Sequence, residues 1–468
     1  MKRWSPLLLI FLLALLPRLL VMAFFPADRL EIVDEIHYHE LAVALQESGC
    51  YATEGKLDSL RPPLYPWLVS KVYGLFGVGN YRAVWGVQIL LSLATMVAVW
   101  GWTREWRGWL SERASLGVTA AVGFYPSLVG ENFLLLTETL FTFWLVLVLW
   151  SATRFFRTQS LYAAAFCGVW IGLGALTRSI LWLSPIPFFG FILLWPSGIS
   201  WPRRVLGGGL MVLFATVVML PWMVRNTKVQ ETWTAIDCMS GRNLMMGNYE
   251  YTPLYRAWDA ISIKFPRDWY GVLNEDYQQR TGKMIHSLTQ GEKDRLAGEY
   301  AKRYMTSHPG QTLRRTLVKM LCFWQLERSI PAGILDGFWG FSECGWQKGA
   351  FLGVALVINL AYVGLFFSAL AGIGTFSYPR QEENRFFGTA FAFYVCVLLY
   401  FWGLHSLVFS HERYHLPLVP ILAFLGGLFW SRWDENLAKL RKNRLRGGVF
   451  VGVGTIFALF WLIEMAFV

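Results

Sequence analysis

Charge is scarce in this chain of 468 residues: Asp, Glu, Lys and Arg make up 16% of it, against about a quarter in a soluble globular domain. Set beside a hydrophobic content of 55%, that deficit excludes a soluble fold. Cysteine is scarce as well. The six present (Cys50, Cys167, Cys238, Cys322, Cys344, Cys396) form no CxxC pair and no cluster at zinc-ligand spacing, so neither a redox dithiol nor a structural metal site is implied. The two halves show no internal repeat, which argues against a transporter built from inverted repeats. The net charge of +11 would suggest nucleic acid on a soluble domain. Here the basic residues fall between apolar runs, so nucleic acid drops out as a partner.

Long apolar runs are what the chain has instead. Eleven lie near 7–25, 83–102, 114–130, 133–153, 161–177, 180–195, 205–224, 349–373, 387–409, 415–431 and 447–468, and a membrane crossing needs roughly 20 such residues. The first follows Lys2 and Arg3 and has no clear small-residue cleavage site, so it reads as an uncleaved anchor. Threading the runs alternately gathers Arg104, Arg107 and Arg113, Arg154 and Arg157, Arg203 and Arg204, Arg380 and Arg385, and the basic series from Arg432 to Arg446 on one side. The positive-inside rule makes that side cytoplasmic, with the N-terminus on it. The expected fold is an all-α integral membrane protein of about eleven spans. Residues 1–224 form an N-terminal transmembrane core whose first outer loop (26–82) carries an acidic motif, 225–348 a large outer loop, and 349–468 the C-terminal membrane helices. Two apolar stretches too short to span, Leu64 to Phe76 and Leu317 to Phe323, suit helices lying along the membrane surface. Cys50, Cys238 and Cys344 fall on the outer side, where a disulfide would persist.

Four constellations carry potential chemistry, all at the outer boundary. The first is Val33-Asp34-Glu35-Ile36-His37-Tyr38-His39-Glu40. In a helix, Asp34 and His37 share one face and Glu35 and His39 another. Two readings stand side by side: catalytic carboxylates, or a solvated helix start with Asp34 as N-cap. The i,i+2 histidines diverge on a helix and do not suit a shared metal. The second is Leu60-Arg61-Pro62-Pro63-Leu64-Tyr65-Pro66-Trp67, where paired prolines fix Arg61 at the interface; it either forks onto phosphate oxygens or snorkels. The third is Glu138 in Leu136-Thr137-Glu138-Thr139-Leu140, a carboxylate at the end of an otherwise apolar run. It is either functional or paired with Arg178 for packing. The fourth is Ser410-His411-Glu412-Arg413-Tyr414-His415, accompanied by the interface arginine of Pro221-Trp222-Met223-Val224-Arg225-Asn226 and the Gly/Asn-rich turn around Arg242. Several arginines and two carboxylates on one membrane face suit a lipid-linked phosphate and a proton acceptor.

In this order the segments DEIHYHELAVAL, RPPLYPWLVSKVYGLFG, LLLTETLFTFWL, GLGALTRSILWLSPIP, PWMVRN, SHPGQTLRRTLVKMLCFW and ERYHLPLVPILAF resemble the multi-pass GT-C glycosyltransferases. Within them, the chain looks like the bacterial relatives of protein O-mannosyltransferases and of the lipid A aminoarabinose transferase, over about residues 7–425. The resemblance implies transfer of a sugar, with inversion, from a polyprenyl monophosphate donor to a lipid, glycan or protein acceptor outside a bacterial inner membrane. It implies Asp34, with Glu35 beside it, and Glu138 as catalytic acids, and Arg61 and Arg413 as donor-phosphate ligands. The positions of the remaining residues add Arg225 to the expected phosphate ligands and His37, Tyr65, Arg178 and Tyr414 as expected substrate contacts. The first acidic motif is not DxD, so no metal and no other cofactor is called for. The competing class is a transporter or a flippase for lipid-linked sugars. Its weakness is location, because transport sites sit at the membrane midplane on broken helices. A binding or scaffolding relative without turnover is a third reading.

Overall fold

The computed structural model describes residues 5–30, 32–343, 345, 347–379, 381 and 384–466. Lys2, Arg3, Arg380 and Cys344, named above, lie outside them. The N-terminal part runs α1 (Ser5–Phe24), α2 (Val33–Ser48), α3 (Leu64–Phe76), α4 (Tyr81–Arg104), α5 (Glu112–Phe124), α6 (Pro126–Gly130), α7 (Glu138–Thr158), α8 (Leu161–Ala175), α9 (Pro185–Leu194) and α10 (Trp201–Gln230). The central segment holds α11 (Ser240–Met246), α12 (Trp269–Thr281), α13 (Gln290–Ser307), α14 (Pro309–Cys322) and α15 (Ser329–Leu335). The C-terminal part is α16 (Gln347–Thr375), α17 (Arg385–Leu407), α18 (Val419–Ser431), α19 (Trp433–Lys442) and α20 (Arg444–Ala466). Each apolar run is mostly helical over its described residues. Among the described residues eight helices are long and apolar enough to cross a membrane, while α5, α8 and α9 are shorter. The chain is a multi-pass membrane protein with eight full-length candidate spans among the described residues; the eleven anticipated also count the three shorter apolar helices.

Helix packing follows from small residues and satisfied polar groups. Gly168 and Gly172, four residues apart on α8, face α10; a Cβ at Gly168 would overlap the Met211 carbonyl. Such spacing lets two backbones approach in lipid, where no water drives apolar faces together. In the buried centre the Tyr394 hydroxyl accepts from Trp102 Nε1 at 2.8 Å and Trp106 Nε1 at 2.9 Å, and lies 2.6 Å from Thr153 Oγ1. One hydroxyl thus ties α4, the turn after it, α7 and α17 with no polar group left over.

The two long segments between the apolar helices, 26–82 and 225–348, are folded. In 26–82, α2 packs on α3, and the hairpin pairing Ala52–Thr53 with Lys56–Leu57 joins them. Helix α3 occupies the expected stretch, burying Tyr65, Val69, Val72 and Tyr73. The central segment has its own apolar core, including Met245, Met246, Tyr249, Leu273, Ile285 and Ala297. Helix α14 leaves Leu313 and Leu317 exposed and buries Arg315 and Lys319, an arrangement suited to an apolar bed beneath it. Cys50 is exposed, Cys238 is buried and both are free thiols.

Candidate active site

The acids stand at helix starts, where the macrodipole favours negative charge. Helix α2 begins at Val33 with Ile32 at its cap position, so Asp34 lies in the first turn and is not the N-cap. That leaves its carboxylate available to distant partners. Oδ1 meets the Arg61 guanidinium at 2.5 Å and Oδ2 meets that of Arg413, 379 residues away, at 2.9 Å. Arg413 turns its Nε to Glu138 Oε1 at 2.8 Å, and Arg178 pairs with the same oxygen. Glu138 is the first residue of α7 and fully buried, whereas the Asp34 side chain is 28% exposed. Asp34 is therefore the acid an incoming group can reach.

Each guanidinium is fixed by local sequence. The residue before a proline is held extended, and Tyr51 Oη further anchors Arg61 by donating to its carbonyl at 3.0 Å and to that of Pro62 at 3.2 Å. Arg61 Nε donates to His37 Nδ1 at 3.2 Å, and His37 Nε2 lies 3.3 Å from Asp58 Oδ2. His37 is thus a link between Arg61 and the loop. Arg413 sits in the 3-10 turn Glu412–Tyr414. Arg178 lies over the Phe141 and Tyr414 rings. Burial on its own would raise the Asp34 carboxyl, but the Arg61 and Arg413 charges and hydrogen bonds outweigh it and hold Asp34 well below the usual carboxylate range. Arg61 is raised in turn: burial opposes its charge, and nearby Tyr38 and Asp34 overcome that.

Three sequence candidates lie apart from this cluster. Glu35 is buried and faces away from it, accepting from the Ile32 amide at 3.0 Å and the Leu135 amide at 2.6 Å. Arg225 donates to the carbonyls of Asp58 and Tyr51, to Ser59 Oγ and to Asn226 Oδ1, and stacks on Trp222 at 4.7 Å; the structure places it at the base of the first outer loop. Tyr65 is one layer behind, its hydroxyl on Gln88 and its ring edge on Tyr38, the ring beneath Arg61. Tyr414 is within the cluster, stacked on His405 at 4.3 Å.

Two residues of the site carried no assigned role in the sequence reading. Glu131 is buried and neither of its carboxyl oxygens has a hydrogen-bond partner among the described residues; burial and neighbouring Glu138 raise it well above the usual range. Arg242 stacks on Trp269 at 4.9 Å, and its buried Nε has no hydrogen-bond partner among the described residues. Burial and the Arg61 charge lower it from its ordinary value, opposed by Asp294 and Asp34. Spacing could not have found either, since their neighbours come from other helices. The cluster so assembled holds three guanidiniums on two carboxylates, with Arg242 close by, and so retains positive charge for an anion. No group of three or more His, Cys, Asp or Glu side chains at metal-holding spacing occurs among the described residues.

Solved structures of other membrane proteins share this fold. The chain superposes on the Archaeoglobus fulgidus oligosaccharyltransferase in the apo form with a TM-score of 0.52 at 13% identity, covering 99% of this chain and 56% of that one. The archaeal oligosaccharyltransferase of the same organism, in complex with an inhibitory peptide and a dolichol-phosphate, gives 0.50 at 13% identity, covering 99% and 55%. At that identity the likeness is one of fold. In sequence, residues 60–224 match the family model described as dolichyl-phosphate-mannose-protein mannosyltransferase. Over 209 residues the chain is 23% identical to the undecaprenyl phosphate-alpha-4-amino-4-deoxy-L-arabinose arabinosyl transferase of Enterobacter sp. (strain 638), covering 43% of this chain and 37% of that protein. The chain thus spans just over half the length of those solved structures, and its match reaches little more than a third of that curated relative.

Proposed function

We propose that the protein is a membrane glycosyltransferase moving a sugar from a polyprenyl monophosphate donor, of undecaprenyl type, to an acceptor at the outer face of a bacterial inner membrane. The carrying observation is the convergence of Asp34, Arg61, Arg178, Glu138 and Arg413 from five separate parts of the chain. The N-terminus is cytoplasmic and the cluster external, in keeping with the basic residues gathered at the other ends of the spans.

The acceptor oxygen attacks the anomeric carbon. The bond from that carbon to the bridging phosphate oxygen breaks with its electron pair going to the phosphate, and the acceptor's proton passes to Asp34. Polyprenyl phosphate leaves, and in-line displacement inverts the centre. Charge growing on the bridging oxygen is met by Arg61, Arg413 and Arg242, while Arg178 and buried Glu138 hold Arg413 in place. An anionic acceptor would need no base, and Asp34 would then orient it.

The resting geometry contains a safeguard. Clamped between two guanidiniums, Asp34 is a poor base. Donor phosphate oxygens draw those guanidiniums away and restore its basicity, so base and leaving-group stabilisation are engaged by one event.

Purified full-length protein given a radiolabelled polyprenyl-phosphate sugar and a panel of lipid, glycan and peptide acceptors should label one class. Asp34→Asn should lower turnover by about 10³-fold with little change in the unfolding midpoint. Equal labelling by both proteins would remove Asp34 from the mechanism. Sugar-lipid crossing proteoliposomes without any transfer would favour the flippase.

A further inference from the structure

At the other end of the spans is a second basic site, in a cavity of about 520 Å³ between the ends of α4, α5 and α18. Helix α4 has 24 residues, so at 1.5 Å per residue its Arg104 end stands about 35 Å from its Tyr81 end. The outer segments, which carry Asp34 and Arg61, join α4 at the Tyr81 end. Arg104, Arg107, Trp109, Ser111, Glu112 and Arg432 line the cavity. Three arginines face one carboxylate there, and that carboxylate is only loosely held, 3.9 Å from Arg104 and 53% exposed. Arg107 has no side-chain partner among the described residues. Arg432 donates to the Gly108 carbonyl at 3.1 Å and lies over the Trp109 ring.

The surroundings are those of an interface. Trp430 and Trp433, both exposed, stack at 4.7 Å beside the cavity's α18 wall, as aromatic residues do at the headgroup level. Below Arg104, at intervals of seven residues on the same face of α4, come Val97 and Leu90, 56% and 67% exposed. A volume in the range of ligand sites, an excess of positive charge and an apolar strip leading away from it fit a molecule with an anionic head and a hydrocarbon tail.

We infer that this cavity binds the phosphate headgroup of an anionic phospholipid, with an acyl chain lying along Val97 and Leu90. A free phosphate would use the arginines but leave the apolar strip without a role. The site is independent of the transfer reaction, and its failure would leave the outer cluster untouched.

Native mass spectrometry of the full-length protein in detergent, with phosphatidylglycerol or phosphatidylcholine added at equal concentration, tests it. Wild type should retain phosphatidylglycerol preferentially. Arg107→Gln combined with Arg432→Gln should weaken that retention by about tenfold. The charge-matched pair Lys442→Gln with Arg444→Gln, exposed at the same membrane end, should change it less than about twofold. Equal loss in both pairs would reduce the effect to diffuse surface charge and overturn the site. Displacement of the lipid by millimolar glycerol phosphate, with equal thermal protection by glycerol phosphate alone, would overturn the lipid assignment. Because Arg432 also holds the Gly108 turn, Arg107→Gln alone is the deciding variant should the pair fail to fold. It has no side-chain bond to lose, and unchanged phosphatidylglycerol retention by it would likewise overturn the proposal.

Discussion

Two sets of sequestered cations can be compared within this molecule. In one, Arg61, Arg178 and Arg413 rest on carboxylates. In the other, cations rest on neutral oxygens. Arg18 of α1 donates to Asn132 Oδ1, Ser92 Oγ and the carbonyls of Ala14 and Gly123. Arg315 donates to the carbonyls of Tyr249, Glu250 and Thr252. Lys319 Nζ donates to the carbonyls of Gly247, Leu407 and Val408 and to Asn248 Oδ1, clasping the C-terminal ends of α11 and α17, where positive charge suits the dipole. Cations held this way are geometric pins on neutral oxygens, most of them backbone carbonyls. Carboxylate-bound cations can trade one anion for another, which a phosphate-handling site requires.

Arg413→Lys should do the most to break this comparison. A single ammonium cannot fork between Asp34 and Glu138, so kcat/KM for the donor should fall by about 10²-fold with the fold retained; a loss of stability with activity intact would move Arg413 into the pinning set. Lys319→Met should do the reverse, costing about 2 kcal/mol of stability in denaturant titrations by orphaning buried oxygens, while activity per folded molecule stays at the wild-type level. Sharper, though smaller, is a pH test. Asp34 is held ionised at rest, so the acid limb of kcat/KM, which reports the free enzyme, should lie below about pH 4. The limb of kcat, which reports the donor complex with guanidiniums diverted to phosphate, should lie higher. Coincident limbs would mean that the clamp does not open. Arg225→Gln should show the smallest effect, about 1 kcal/mol of stability with donor KM unchanged. A rise in KM would return Arg225 to the phosphate ligands, where its interface position in the sequence had put it.

Membrane character, the extent of α3 and the choice of Asp34, Arg61, Glu138 and Arg413 as candidates came from local signals: run length, a proline pair, or a charge where charge is costly; the structure brings those four side chains together. The partners of those charges were legible only in part. Arg178 was anticipated beside Glu138, but that both join Asp34 through Arg413 depends on a contact 379 residues long. Helix α14 shows the limit from the other side. The sequence marked only an apolar stretch lying along the membrane surface; that Arg315 and Lys319 point inward depends on carbonyls at 249–252 and at the helix ends 247 and 407, acceptors that no local pattern announces. Arg225 and Glu35 were placed with the cluster for the same reason: a residue's type was visible, and the oxygen or amide it meets in the structure was not.

Glu35 has a bearing on how the machinery could move. By holding the amide of Ile32 and that of Leu135 with its two oxygens, it rivets the start of α2 to the strap leading into α7. The acids on either side of that rivet, one reachable and one sealed, are thereby tied to a common frame, and the spacing between them depends on this one buried carboxylate.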